Sequence, residues 1–393
     1  MDLDHAPDVL ALFDLSIQAA GVAGEQRNAR VLYLALTSRL LARPVSVLVK
    51  GSSSGGKSFL VDRVLAHFPE QAALKLTGMS EKSLVYLGDD VSHRHIVLAE
   101  AAGAAGRLRN YFIRTLLSEG HISWHTVERK RDGSVSRIIQ KKGPTGLILT
   151  TTRLGEDVET ETRLLTLTTN ETAEQTRRVM QAVAQGQGGP GEGKLAVDPA
   201  WPAFQAALAS GERRVVVPYA AALADVCATA MVRMRRDFSC LLSLIEAHAL
   251  LHRETRGRDA EGRIVAEIRD YDEVRRHVAD LMAEALEASV PRLMRQTVEV
   301  VRSISNEYDR SVRVVARMLR IHPSVASRRC QAAVRAGYVV SRHDKVKRCH
   351  VLDLGYPMPN DIEVLPPEVP SAHVVHTCEI AQNSAKIAEN AAV

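Results

Sequence analysis

The run GSSSGGKS, Gly51 to Ser58, constrains this chain more than any other feature. It fits G-x-x-x-x-G-K-[ST], a loop whose glycines let the backbone wrap a phosphate chain while N–H groups and a helix N-terminus face the negative charge. The flanks agree. VSVLVK (45–50) is short, apolar and β-branched, which reads as a buried strand, and FLVDRVLAHF continues with helical periodicity. On this reading Gly51, Ser52, Ser53, Ser54, Gly55 and Gly56 form the cradle, Lys57 reaches the β- and γ-phosphates, and the Ser58 hydroxyl holds Mg²⁺. The competing reading is a Gly/Ser-rich turn that merely contains Lys-Ser, and the strand and helix on either side weigh against it.

Around this loop the apolar pattern alternates between strand and helix, the signature of an α/β layer built on a parallel sheet. Candidate strands are 45–50, 74–77, 95–99, 145–150 and 163–168, and candidate helices 57–67, 80–86 and 106–119. Residues 8–42 read as helix up to Pro44. AQGQGGPGEGK (184–194) is too rich in Gly and Pro for a packed element and reads as a linker. Helices are expected at about 217–235, 237–254, 271–288 and 291–307, with a short hairpin in RGRDAEGRIVAEIRDY.

Three further places carry chemistry. The apolar strand in HIVLAEAAG ends at Glu100, a candidate base for orienting water and a candidate metal residue, but Ala99 stands where a first acid is usual. A solvated strand-end carboxylate is the alternative. GLILTTTR places Thr150 to Thr152 at the next strand end, beside a γ-phosphate, although threonine is common in any strand. Arg163, at a loop-to-strand junction, is positioned to stabilise charge on a neighbouring subunit's nucleotide or, equally, to form a surface ion pair.

HISWHTVERKRDGSVSRIIQKKG (121–143) alternates like a strand, turns at Asp132-Gly133 and returns. Its tip is basic, with Arg129, Lys130 and Arg131, and its exit carries Lys141 and Lys142. A hairpin inserted at this point in the sheet projects into the pore of certain ring ATPases, where basic tips grip a phosphodiester backbone without reading bases. A surface hairpin with solvated charge is the competing reading.

The whole composition is consistent with nucleic-acid contact but does not demand it: 393 residues, net charge +5, pI near 9.0. No apolar run approaches the ~18 residues of a membrane span. MDLDHAPDVL is acidic and lacks the positive start and apolar core expected of a signal peptide, and the five cysteines are scattered without a CxxC pair. A cytoplasmic protein without a disulfide framework or structural zinc is expected.

The strings LTGMS, GPTGLILTTT and ETETRLLTLTTNETAEQTRR, together with the phosphate loop, resemble the AAA+ ATPase module of DNA primase/helicase-like proteins of phages and mobile elements. The resemblance extends through RRDFSCLLSLIEAHALLHRETRGR and covers roughly residues 21–285. It implies an ATP-fuelled homo-oligomeric ring, a hexamer favoured, with a hairpin before the first sensor strand, acting in DNA replication. It further implies ATP and Mg²⁺ binding by Lys57 and Ser58, Glu100 as catalytic glutamate, Thr151 or its neighbours as first sensor and Arg163 as arginine finger. No zinc-finger or polymerising primase domain is recognised, so a primase would be a partner.

Residues 311–352 read as helix, turn, helix and two short strands, a winged helix. Arg328, Arg329 and Arg335 on the second helix, and Lys345 and Lys347 on the wing, are candidate DNA contacts; a protein-binding winged helix is the alternative. The expected organisation is a helical lead (1–43), the AAA+ P-loop domain (44–185), a Gly-rich linker (186–194), a helical, winged, lid-like domain (195–288), the winged helix (289–352) and a flexible tail (353–393). The function expected is a helicase-like, DNA-binding ATPase motor, with single-stranded DNA in the pore and duplex at the winged helix. A regulator or helicase loader that binds ATP without translocating is the chief rival, and a small-molecule kinase a distant one.

Overall fold

The computed structural model describes residues 2–78, 80, 82–88, 90–99, 107–130, 133–152, 162–185, 197–227, 233–306, 309–344, 349–359 and 363–369, with backbone alone at 83, 107, 109, 128–130, 133–135, 344 and 349. Two compact units emerge: one formed by the described residues of 2–225 with 236–278, the other by those of 226–235 with 279–367.

The first unit opens with α1 (Val9–Ala19) and α2 (Gln26–Thr37). A single helix over 8–42 is not what forms. Gly21 and Gly24 both adopt positive φ, 89° and 69°, which breaks the helix between them. The last turn of α1 closes on itself, with Gly21 N–H donating to Gln18 O (2.8 Å) and Val22 N–H to Ile17 O (3.1 Å). Phe13 of α1 and Tyr33 of α2 are fully buried, their ring centroids 4.4 Å apart.

Next come β1 (Val47–Lys50), α3 (Lys57–Leu65), β2 (Ala73–Leu76), α4 (Ser83–Tyr86), β3 (Arg94–Leu98), α5 (Arg107–Glu119), β4 (His121–Lys130), β5 (Gly133–Lys142), β6 (Thr145–Thr151) and β7 (Leu165–Thr168). Five of these strands form one sheet in the order β2-β3-β6-β1-β7, and every pairing in it is parallel. The α/β fold with a parallel central sheet is therefore as the alternation in the sequence predicts. Strands covered on both faces must be apolar throughout. Val47, Leu48 and Val49 meet that requirement in the middle of the sheet, each no more than 1% exposed. From β1 the chain crosses to β2 on one side, and from β6 it crosses to β7 on the other. The carboxyl end of β1 is thus a switch point, where open α/β sheets leave a crevice for ligands.

β4 and β5 make a separate two-stranded ladder of ten residue pairs, from His121↔Lys142 to Lys130↔Gly133. Its root belongs to the core. Trp124 meets Phe112 of α5 edge-on with centroids 4.9 Å apart, and Ile122 is buried. The hairpin is held at its base by Gly143 N–H donating to Gly120 O (2.6 Å) and by the Lys141 ammonium donating to Leu87 O.

After the sheet come α6 (Ala173–Ala184), α7 (Ala200–Ser210), β8 (Val215–Val216), α8 (Ala220–Val226), α9 (Met234–Leu251), β9 (Ile264–Val265) and α10 (Ile268–Ser289). Trp201 of α7 completes the aromatic cluster, 5.8 Å from both Phe13 and Tyr33. The hairpin expected in RGRDAEGRIVAEIRDY is reduced to one antiparallel bridge, Arg258↔Ile264, because β9 pairs in parallel with β8 instead. Asp270 is fully buried at the start of α10, and both Arg256 (Nε 3.0 Å, Nη2 2.5 Å) and His248 (2.7 Å) bond it.

The second unit contains α11 (Arg292–Ser303), α12 (Val312–Leu319), α13 (Pro323–Arg335) and the antiparallel pair β10 (Val339–Asp344) and β11 (Cys349–Leu354). Ser311 caps α12, Arg320 ends it in the left-handed conformation, and Pro323 opens α13. Val298, Val301, Val315, Ala326, Cys330, Ala333, Val339, Val351 and Leu352 form its interior. Helix, turn, helix and two strands therefore follow one another as the sequence predicts for 311–352.

Candidate active site

The phosphate-loop motif leaves the carboxyl end of β1 and becomes the first turn of α3. Gly56 sits there at φ 73°, a left-handed conformation that a side chain would strain. Gly55 N–H donates to Ser52 O (3.0 Å), closing the loop on itself. At Gly51 the constraint is steric: an added Cβ would stand 2.0 Å from Thr169 Oγ1, because Thr169 follows β7 and donates its N–H to Lys50 O (2.9 Å).

Lys57 is 4% exposed, and its ammonium lies inside the loop, donating to Gly51 O (3.1 Å) and Ser52 O (2.5 Å). Ser52, Ser53, Ser54 and Ser58 are exposed. Thr151 pairs with Lys50 across the β1–β6 ladder and Thr150 with Val49, so both threonines stand beside the strand end that enters the loop. Each is buried.

The loop opens on a cavity of about 750 Å³. One wall is Gly21–Ala23 and Glu25, in the break between α1 and α2; another is Thr176, Val179, Met180 and Ala182 of α6. Val179 and Met180 are 44% and 67% exposed, apolar surface turned toward that space. The two walls are tied together. Gln175 Nε2 donates to Ala23 O (2.6 Å), and the Asn170 N–H donates to Glu25 Oε1 (2.7 Å). Asn28 Nδ2 donates to Glu25 Oε2 (2.6 Å) and to Thr168 O (3.0 Å). Burial pushes the Glu25 carboxyl up, and those bonds from Asn170 and Asn28 pull it back.

Glu171 completes the rim. Its Oε1 accepts the Ser52 N–H and lies 3.2 Å and 3.4 Å from where Cβ atoms at Gly51 and Gly55 would be. The Ser52 backbone N–H, then its hydroxyl, and the Lys57 charge hold this carboxyl below the usual carboxylate range. None of Glu25, Asn28, Glu171 and Gln175 is visible from the motif. They meet it only because β7 lies beside β1 and because the helix breaks at Gly21–Gly24.

Of the other residues the sequence points to, Arg163 lies elsewhere. The register pairs Val47 with Leu165 and Lys50 with Thr168, so Arg163 stands at the amino end of the sheet while the phosphate loop stands at the carboxyl end. About 13 Å of strand separates the two. Arg163 Nε donates to Ser118 Oγ at the end of α5 (3.0 Å). Glu100, Arg131, Lys345 and Lys347 lie outside the described residues, and Lys130 is described by its backbone in β4 alone. On α13, Ser324, Arg328, Gln331 and Arg335 are exposed at helical spacing on one face, whereas Ser327 and Arg329 are half-buried.

No family model matches the sequence, and no curated protein matches it. Among solved structures, the chain is similar to a full-length MCM homolog from Methanopyrus kandleri, with 14% identity over 70% of this chain and a TM-score of 0.44. It spans 58% of that protein's length. It is also similar to the Aeropyrum pernix ORC1 protein, solved in complex with DNA, with 14% identity over 97% of this chain and 96% of the other and a TM-score of 0.30. Among the described residues no helix is long and apolar enough to cross a membrane, and no cluster of three or more metal-ligating side chains occurs.

Proposed function

We propose that this chain is an ATP-hydrolysing, DNA-binding AAA+ motor, helicase-like, that acts in the replication of a phage or mobile element. The observation that carries the reading is the phosphate loop at the carboxyl end of the interior strand β1, facing a cavity with an oxyanion already bonded to the loop at one side and apolar surface at the other. The donor set fits a nucleoside triphosphate: loop N–H groups, the Lys57 ammonium and the amino end of α3 for the phosphates, and Val22, Val179 and Met180 for the base. Ser58 would hold Mg²⁺, which would supply charge neutralisation between phosphate oxygens. Lys57 anchors the phosphates, Thr151 senses the terminal one, and Glu100 orients water.

Arg163, at the far end of the sheet from its own loop, serves the nucleotide of a neighbouring copy. This supports a homo-oligomeric ring, a hexamer in our reading. In this reading Lys130 and Arg131 belong to a pore hairpin that grips single-stranded DNA, for which the two-stranded ladder at 121–142 is support, and 289–352 is a winged helix whose Arg328, Arg329 and Arg335, with Lys345 and Lys347, meet duplex. A primase is the expected replication partner, and the setting is cytoplasmic.

Ala99, in place of a first acid beside Glu100, favours a second reading, an ATP-gated DNA-binding regulator or loader. Steady-state ATP hydrolysis with and without single-stranded DNA, with Lys57→Ala as blank, separates the two. Turnover stimulated by DNA is expected. Bound ATP without turnover would transfer the assignment to the regulator, and no ATP binding would overturn both.

A further inference from the structure

Glu171 is an exposed acid that the motif does not predict, yet its carboxylate is seated on the motif's own backbone. It accepts from the Ser52 N–H, it lies where Cβ atoms added at Gly51 and Gly55 would come within 3.2 Å and 3.4 Å of it, and it feels the charge of Lys57. A loop of inward N–H groups selects oxyanions, and a carboxylate is one. Its neighbours hold it in place. The Asn170 N–H is bonded to Glu25, Thr172 caps α6 by accepting from Gln175 N–H (3.2 Å), and Gln175 is bonded to Ala23. The backbone of 170–175 is thus fixed from both sides, while the Glu171 side chain can swing about its own rotatable bonds.

We infer that Glu171 is an internal competitor for the phosphate seat, a side-chain bolt that an incoming polyphosphate must displace before Gly51–Ser58 can close around it. The inference rests on the nucleotide reading above and adds a regulatory element to the same site. Two consequences follow from the chemistry. A ligand with one phosphate, making few contacts, displaces the bolt poorly, whereas a triphosphate gains enough contacts to do so, so the bolt filters for polyphosphates. The displaced carboxylate also leaves the loop beside α6, so that nucleotide occupancy is registered at 169–175, on the wall that faces Gly21–Glu25.

The test is calorimetric titration of the full chain with ATP and, separately, with inorganic phosphate, for the wild type, Glu171→Ala, Glu171→Gln and Lys57→Ala. A charge-assisted hydrogen bond must break in the wild type and not in Glu171→Ala, so ATP is expected to bind the alanine variant about ten-fold more tightly or better. Glu171→Gln, which keeps an acceptor without the charge, is expected between the two. Inorganic phosphate, taking the same seat, should gain by the same factor as ATP. Unchanged or weaker ATP binding by Glu171→Ala, with Lys57→Ala still abolishing binding, would overturn the bolt and leave the nucleotide reading intact. Failure of wild type and Glu171→Ala alike to bind ATP would instead overturn the nucleotide reading. Glu171 is exposed, so the variants leave the core untouched, and a common unfolding midpoint for the wild type and both Glu171 variants verifies this.

Discussion

Three buried histidines make the stability of the first unit depend on pH in a way that can be worked out in advance. His67, His95 and His252 are at most 3% exposed, and burial pushes each from 6.5 down to about 4. His67 is held neutral between Arg63 O (2.9 Å) and the Ser16 hydroxyl (2.9 Å), and His95 Nε2 donates to Val45 O (3.0 Å). A group whose folded pKa is depressed below 6.5 binds its proton in the unfolded chain first. The stability is therefore complete above pH 6.5 and is lost as the pH falls toward 4. At pH 5 each ring costs about 2 kcal/mol, about 6 kcal/mol for the three.

Glu246 works in the opposite direction. Burial raises its carboxyl to about 7, so the folded chain takes up that proton first and recovers about 2 kcal/mol at pH 5. Asp270 and Glu273, held at about 2, do not titrate in this window. The net loss from pH 7.5 to pH 5 is about 4 kcal/mol, a large part of a typical domain's stability. Both tryptophans, Trp124 and Trp201, lie in this unit, so urea unfolding followed by tryptophan fluorescence reads it directly. Replacing His67 by Gln should remove about 2 kcal/mol of the loss, and Glu246→Gln should deepen it by a similar amount. A wild-type stability at pH 5 within about 1 kcal/mol of that at pH 7.5 would refute the reasoning.

Other perturbations bear on the site. Gly51→Ala should weaken ATP binding by about 1–3 kcal/mol, since its Cβ would stand 2.0 Å from Thr169 Oγ1; adding Thr169→Ala should restore part of the loss, and strictly additive effects in titration would contradict the contact. Arg163→Ala should abolish ATP turnover while sparing nucleotide binding, and wild-type turnover by that variant would remove the finger assignment. Replacing Lys130 and Arg131 together by Ala should leave basal hydrolysis in place and erase its stimulation by single-stranded DNA, which an ATPase assay with and without DNA reads.

What the sequence discloses here follows from whether the relevant interactions are local. The loop is contiguous, and its flanking strand and helix are set by short-range apolar pattern, so Gly51–Ser58, β1 and α3 can all be read in advance. The ladder at 121–142 is legible for the same reason, since alternation and an Asp-Gly turn are local signals. The break between α1 and α2 is not, because helical periodicity on both sides outweighs two glycines whose positive φ shows only in three dimensions. The hairpin expected around β9 fails in its pairing, for the strand's partner Val215–Val216 lies some fifty residues away. Glu171 and Gln175 sit in a string that stands out by resemblance, but their place against Ser52 and Ala23 depends on β7 lying next to β1, a matter of strand order that no local pattern encodes.

The cavity has a consequence for how the chain can be shortened. Its lining comes from residues 21–25, 52–60, 169–171 and 175–182, stretches brought together across most of the first unit. A fragment starting at residue 44 would carry every letter of the phosphate-binding motif and lose the wall formed by Gly21–Ala23, the Glu25 acceptor for Asn170, and the anchor that Ala23 offers Gln175. It would also strip Phe13 and Tyr33 from Trp201, uncovering an aromatic face. The smallest piece that keeps this cavity whole is therefore larger than the smallest piece that contains the motif, and its amino-terminal helices are a component of the cavity wall.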